Sequence, residues 1–153
     1  MQALELKIPP VVVVVVFAAT MLGLSWLMPL ATFELPGSRI ASLGLALLGM
    51  ATSMAGVLAF RASKTTVDPR TPEAASTVVV GGIYRLSRNP MYLGFLSMLA
   101  GWAVYLSNAA AAALLPAFVA YINAFQIKPE ERILLSKFGP CFAEYMASVR
   151  RWM

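Results

Sequence analysis

Long uncharged runs alternate with short charged segments along the whole chain. Residues 8–33 and 40–60 carry no charged side chain and are 26 and 21 residues long, so each can supply one membrane span of about 20 residues. A third run, 89–127, has 39 uncharged residues and is too long for one span. Ser107-Asn108 divides it into two arms. The pattern predicts an all-α membrane protein with about four transmembrane helices, near 9–30, 40–60, 90–106 and 109–127.

The first span contains six consecutive valines, Val11–Val16, which in water would favour a strand. A single strand in lipid leaves its backbone N–H and C=O groups without partners, so a helix is expected instead. Pro10 suits the first turn of that helix, where a missing N–H costs least.

Two segments are polar enough to lie outside the bilayer. The loop 61–89 is irregular in composition, and Asp68–Glu73 contains two prolines that disfavour a helix. The region 129–151 places apolar residues at helical spacing, which predicts amphipathic helices. Gly139-Pro140 should divide this region into two short helices.

Composition and charge agree with this picture. The 153 residues are 59% hydrophobic and 12% charged, whereas soluble domains carry about 25% charged residues. The net charge of +5 lies in short segments between apolar runs, which a bilayer explains better than nucleic acid. With four spans, eleven basic residues fall on one side and only Arg39 on the other. The positive-inside rule therefore predicts cytoplasmic termini and a cytoplasmic 61–89 loop. We expect a single-domain integral protein of the bacterial inner membrane.

The sequence lacks histidine and contains one cysteine, Cys141. Histidine general bases, proton shuttles and histidine metal ligands are therefore excluded, as are an internal disulfide and a thiolate metal cluster. No metal site is predicted, and Cys141 is read as a packing residue.

The densest polar cluster is the segment 82–92. Asn89 is a suitable N-cap and Pro90 a suitable first residue of a helix. The free amides of such a helix start could bind a carboxylate or another anion. The alternative is that Asn89-Pro90 only starts a span and that the neighbouring arginines anchor it to lipid headgroups.

A second cluster follows Lys128. Glu130 and Glu131 are expected in a first helical turn, where acids interact favourably with the helix dipole. Alternatively, one of these carboxylates faces a cation, with aromatic faces added by Tyr84, Tyr92 and Trp152. The basic–aromatic end Arg150-Arg151-Trp152 is read as an interfacial anchor, with acceptor binding as the alternative.

Two separated segments resemble the membrane methyltransferases of the isoprenylcysteine carboxyl methyltransferase and phospholipid methyltransferase group. The first runs from Thr65 to Gly94 and contains Gly82-Ile83-Tyr84 followed by Arg88-Asn89-Pro90-Met91-Tyr92. The second contains Glu130-Glu131-Arg132 and then Phe138-Gly139, Tyr145 and Arg150-Arg151-Trp152. Their order and the hairpin between them match the group over somewhat more than half of the chain.

The resemblance implies an S-adenosylmethionine-dependent methyltransferase with a cytoplasmic cofactor pocket built partly by the C-terminal helices. It implies catalytic roles for Arg88 and Glu131. It also implies cofactor contacts from Gly82, Tyr84, Asn89, Pro90, Tyr92, Leu93, Glu130 and Glu131.

The resemblance implies a lipophilic small molecule or a lipid-modified group as acceptor, with membrane lipids as further partners. Because the chain lacks histidine, an acceptor that is already a carboxylate or a thiolate would need least help from a base, and a glutamate or water could serve as the base for other acceptors. The isoprenylcysteine enzymes usually have histidine where Asn89 stands, which weakens the inference to a prenylcysteine substrate.

Other functions are compatible with the same spans. A small four-helix transporter would need an ionisable group within a span, and the three uncharged runs lack one. A nicotinamide-dependent membrane reductase could carry a similar arginine–X–proline–X–tyrosine segment. A non-catalytic scaffold would bind no cofactor.

Overall fold

The computed structural model describes residues 5–63 and 72–153, and the side chain of residue 73 is not described. The named secondary-structure elements in these ranges are all helices, which confirms the predicted all-α class. The helices are α1 (Pro10–Leu27), α2 (Ser38–Ala62), α3 (Pro90–Leu106), α4 (Ala109–Ala112), α5 (Leu114–Ile122), α6 (Lys128–Phe138) and α7 (Pro140–Ser148). A 3-10 turn, Pro72–Ala74, covers part of the predicted non-helical loop, and residues 68–71 of that loop lie outside the described residues.

Within the described residues, three helices are long and apolar enough to cross a membrane: α1, α2 and the continuous helix Ala109–Phe138. The charged residues of this last helix begin at Lys128, so its membrane-crossing part ends at Ile127 and α6 lies beyond it. The α3 helix is apolar but has 17 residues, which is about 25 Å of helix and the lower limit for a span. The predicted number of four spans stays a prediction.

The predicted helix start near residue 129 is wrong, because the helix continues from α5 into α6 through a π-helical turn, Asn123–Ile127. Pro129 lacks the N–H that would normally bond to the carbonyl of Phe125. That carbonyl instead accepts a 3.0 Å hydrogen bond from the backbone N–H of Leu6. The helix therefore tolerates the proline. The predicted break at Gly139-Pro140 is confirmed, since α6 ends at Phe138 and α7 begins at Pro140.

The α2 and α3 helices pack closely through small residues. A Cβ atom built on Gly94 would overlap the hydroxyl oxygen of Ser53 and the carbonyl oxygen of Gly49. A Cβ on Gly49 would lie 2.5 Å from the carbonyl oxygen of Gly94. Small residues allow such an approach between membrane helices, where packing replaces the hydrophobic effect. Gly44, on the same helix α2, has no atom within 4 Å of an added Cβ.

The α3 helix lies between α1 and α2. Its Trp102 indole donates a 3.0 Å hydrogen bond to the carbonyl of Ala18 in α1. Its Ser97 hydroxyl donates to the carbonyl of Leu45 in α2 at 2.9 Å. These contacts leave the residues at the start of α3 at one end of the bundle, beside the end of α2 and the start of α6.

The opposite end is fixed by Asn108, which is fully buried. Its amide donates to the carbonyl of Met28 at 3.0 Å and to the hydroxyl of Thr32 at 3.1 Å. Its carbonyl oxygen accepts from the N–H of Ala111 and caps α4. This residue therefore joins the α3–α4 turn to the end of α1.

Candidate active site

A pocket lies at the end of the bundle where α2 ends and α3 and α6 begin. Six of the residues predicted for the site line it: Tyr84, Arg88, Asn89, Tyr92, Glu130 and Glu131. The remaining lining residues come from the end of α2, the segment before α3, the start of α3, the π-helical turn and the C-terminal helices: Phe60, Pro72, Ala75, Thr77, Val78, Val79, Met91, Ile127, Leu134, Phe142 and Tyr145.

Three residues predicted to contact the cofactor are not among the lining residues. Gly82 is exposed and has a φ of 60°, which turns the chain into the 3-10 turn Gly82–Arg85. Pro90 is buried at the start of α3. Leu93 is half-buried on the same helix. Gly82 and Pro90 thus shape the backbone around the pocket.

Arg88 has two hydrogen-bond donors without a partner. Its side chain is 10% exposed, and its Nη2 lies 3.0 Å from Oε1 of Glu131. Its Nε and Nη1 are buried and have no partner among the described residues. Buried donors are usually paired because desolvation without a partner is costly. An anionic ligand in the pocket would satisfy them.

The Glu131 carboxylate is held by two arginines. The Nε of Arg151 donates to Oε1 at 3.1 Å, and its Nη2 donates to Oε2 at 2.6 Å. Arg88 makes the third contact. The hydrogen bonds that Arg151 donates to Glu131 raise the pKa of Arg151. Glu131 is therefore engaged within the protein on both of its oxygens.

Glu130 differs from its neighbour. The Tyr92 hydroxyl donates to its Oε2 at 3.4 Å, and no arginine or lysine among the described residues pairs with it. Burial raises the pKa of the Glu130 carboxyl to about 7, and the nearby charge of Glu131 acts in the same direction. Glu130 is the carboxylate in the pocket that lacks a cation.

The structure does not support the interpretation that Glu130 and Glu131 stabilise the dipole of a helix that starts at residue 129. That interpretation required a helix start at residue 129, with unpaired N–H groups in the first turn. The residue before α6, Ile127, is itself helical, and the chain is helical from Ala109 to Phe138. Glu130 and Glu131 therefore lie inside a long helix.

Asn89 is the N-cap residue of α3 and Pro90 its first residue, as predicted, but the Asn89 side chain makes no capping hydrogen bond. Its Nδ2 donates instead to the carbonyl of Arg151 at 2.9 Å. Arg151 belongs to residues 149–153, the segment after α7, which we call the clasp. The clasp supplies a carbonyl acceptor close to Asn89, and this tertiary hydrogen bond replaces the local one.

Further hydrogen bonds attach the clasp beside the pocket. The N–H of Arg88 donates to the carbonyl of Arg150 at 3.1 Å. The Ser87 hydroxyl donates to the carbonyl of Arg151 at 3.3 Å and accepts from the N–H of Asn89 at 3.1 Å. The indole of Trp152 donates to Asn123 at 3.2 Å, so this aromatic ring lies outside the pocket lining.

An aromatic wall completes the pocket. Tyr84 is buried and packs edge-to-face on Phe60, with 5.3 Å between ring centroids. The Tyr145 hydroxyl donates to the carbonyl of Tyr84 at 2.7 Å. Burial raises the pKa of Tyr145 to about 12 and that of Tyr84 well above its usual range, so both stay neutral. The sequence pattern indicated apolar helix faces over 129–151 but did not assign Phe60 or Phe142 to the site.

Comparison with known proteins adds a family. A family model described as phospholipid methyltransferase matches residues 38–140, which include the lining residues from Phe60 to Leu134. An uncharacterised protein of Haemophilus influenzae is 43% identical over 63 residues, which are 41% of this chain and 100% of that protein. No solved structure matches.

Proposed function

This chain belongs to the phospholipid methyltransferase family, and from that membership we propose that it is an S-adenosylmethionine-dependent methyltransferase acting on a lipophilic or membrane-associated acceptor. The observation that carries the proposal is the pair of buried, unpartnered donors on Arg88 in a pocket that also holds Glu130. The pocket thus offers positive and negative groups to one ligand.

The lining residues fit this cofactor. The free Nε and Nη1 of Arg88 suit negatively charged oxygen atoms such as those of a carboxylate, because charge-assisted bonds to a planar guanidinium are strong and directional. The Glu130 carboxylate suits a cationic group. The rings of Phe60, Tyr84 and Phe142 offer an apolar wall for a flat base.

The cofactor would supply a methyl group on a sulfonium for an in-line displacement, without a metal or a covalent enzyme intermediate. The protein's own contribution is then binding, orientation and exclusion of water. We assign Arg88 to direct contact with the ligand and Glu131 to holding Arg88 in place. An acceptor that is already a carboxylate or a thiolate would need no general base, which suits a chain without histidine.

Calorimetry on detergent-purified protein with a chelator tests the cofactor. We expect S-adenosylmethionine and S-adenosylhomocysteine to bind and NADPH not to bind. Binding of NADPH alone would instead support a reductase. Cooperative unfolding on heating shows that the protein is folded. A folded protein that binds neither S-adenosylmethionine nor S-adenosylhomocysteine would contradict the proposal.

We also propose that the pocket faces the cytoplasm from the inner membrane, with four spans. The support is the charge distribution, since Arg61, Arg88 and Lys128 lie at the pocket end and Arg39 follows the opposite turn. Both Cys141 and Glu34 are exposed, and they lie on opposite sides in this topology.

Labelling of intact cells with a membrane-impermeant thiol reagent checks this topology. Native Cys141 should stay unlabelled until the cells are permeabilised. Glu34→Cys in a Cys141→Ala background should be labelled at once. The reverse pattern would contradict the topology, and labelling of the Cys141→Ala protein without the new cysteine would reveal background.

The Glu130 carboxyl predicts a pH dependence. Its pKa of about 7 means that it gains negative charge as pH rises from 6 to 8. A negative carboxylate attracts the sulfonium of S-adenosylmethionine but not the neutral sulfur of S-adenosylhomocysteine. The association constant of S-adenosylmethionine, divided by that of S-adenosylhomocysteine, should therefore rise from pH 6 to pH 8. Titrating groups that the two ligands have in common change both constants equally and cancel in this ratio.

The ratio should be flat in Glu130→Gln and parent-like in Glu144→Gln, which alters an exposed carboxylate on α7. Calorimetric titrations at pH 6, 7 and 8 give the comparison. A ratio in Glu130→Gln that still rises like the parent's would remove Glu130 from this role.

A further inference from the structure

We propose that Arg151 is a positioning residue whose guanidinium occupies Glu131 and thereby keeps Nε and Nη1 of Arg88 free for oxygen atoms of the ligand, its carboxylate among them. This inference rests on the proposed function. It concerns a residue outside the part of the chain that the family model matches, which ends at residue 140.

The three contacts on Glu131 are unequal. Arg151 binds both oxygens, with Nε on Oε1 at 3.1 Å and Nη2 on Oε2 at 2.6 Å. Arg88 reaches only Oε1, through Nη2 at 3.0 Å. Arg151 therefore has the two-bond geometry that arginine and carboxylate prefer, and Arg88 is left with one bond.

The unequal sharing has a consequence for Arg88. If the Arg151 guanidinium were absent, Oε2 of Glu131 would lose its donor and become available. Arg88 would then gain by adopting the two-bond geometry itself, because unpaired buried donors are costly. That rearrangement would turn a second N–H away from the pocket. Arg151 prevents it by competing for the same carboxylate.

The backbone of Arg151 also binds the segment that contains Arg88. Its carbonyl accepts from Asn89 and Ser87, the two residues that flank Arg88. The indole of Trp152 anchors the clasp separately, on Asn123. Replacing the side chain of Arg151 keeps these main-chain bonds, so the effect of its guanidinium can be measured without removing the clasp.

The test uses Arg151→Met, Arg88→Met and the double variant, with Arg150→Met as the matched control on an exposed neighbour. Calorimetry measures binding of S-adenosylhomocysteine and of 5′-methylthioadenosine, which lacks the amino acid part. Arg151→Met should weaken S-adenosylhomocysteine roughly tenfold, the value of about one hydrogen bond to a charged group. Binding of 5′-methylthioadenosine should stay unchanged, and so should both affinities in Arg150→Met.

The double variant decides between positioning and simple stabilisation. If Arg151 acts through Arg88, Arg151→Met should cause no further loss in the Arg88→Met background. Additive losses, or equal losses for the two ligands, would overturn the inference. Should Arg151→Met fail to fold, Arg151→Lys offers the same comparison, since lysine cannot form the two-bond geometry. A parent protein that binds neither ligand would refute the proposed function first, and this inference with it.

Discussion

Arg88→Met is expected to weaken S-adenosylhomocysteine binding about 100-fold and to change the melting temperature of the ligand-free protein little. Arg88 contributes two free buried donors, and hydrogen bonds to charged groups are worth about 1.5–3 kcal/mol each. A loss of roughly 3 kcal/mol corresponds to about two orders of magnitude in affinity. Calorimetry and thermal unfolding measure the two quantities separately.

The small stability effect has a structural reason. In Arg88→Met, Glu131 keeps both bonds from Arg151, so this carboxylate is not left without a cation. The substitution also removes two unpartnered donors from the interior. Arg85→Met, on an exposed side chain three residues earlier, is the control and should bind like the parent. Parent-like affinity in Arg88→Met, or an equal loss in Arg85→Met, would contradict the assignment.

Gly94→Ala is expected to prevent or severely weaken the packing of α2 on α3. The new Cβ would overlap the carbonyl oxygen of Gly49, which is backbone and cannot move without moving the helix. Overpacking usually costs about 1–3 kcal/mol, and more where the backbone must shift. We expect a large fall in melting temperature or loss of the folded protein in detergent.

Gly44→Ala is the matched control because Gly44 lies on α2 with no atom near its would-be Cβ. It should fold and melt like the parent. A Gly94→Ala protein with an unchanged melting temperature would mean that the helices are farther apart than described. A similar loss in both variants would point to a general sensitivity of the glycines.

Much of the fold follows from the apolar runs alone. Segments 8–33, 40–60 and 89–127 contain no charged residue, and each contains the helical structure that a segment in lipid requires. The turn at Ser107-Asn108 and the break at Gly139-Pro140 were predicted as well. These features depend on residues next to each other in the chain, which is why local reasoning finds them.

The continuous helix through Pro129 could not be predicted in the same way. The carbonyl that the proline leaves unpaired is satisfied by Leu6, which is more than a hundred residues away. No pattern of neighbouring residues indicates such a partner. The π-helical turn before Lys128 belongs to the same tertiary arrangement.

The site shows the same division. The residue types of the two motifs indicated the pocket, but their individual roles depended on geometry. Glu130 and Glu131 are adjacent on a helix and so point about 100° apart. Only the packing decides which of them meets Arg88 and Arg151. The clasp bonds between Ser87 and Arg151 join residues 64 positions apart, beyond the reach of motif spacing.

The central place of α3 between α1 and α2 bears on how the chain is made. During synthesis, α1 and α2 enter the bilayer before their shared neighbour exists. The hydrogen bond from Trp102 to the carbonyl of Ala18 and the close packing of Gly94 on Gly49 both need α3. The contacts that hold α1 and α2 against their shared neighbour can therefore form only after α3 has been synthesised, which makes packing of this bundle a late step relative to insertion of its first two helices.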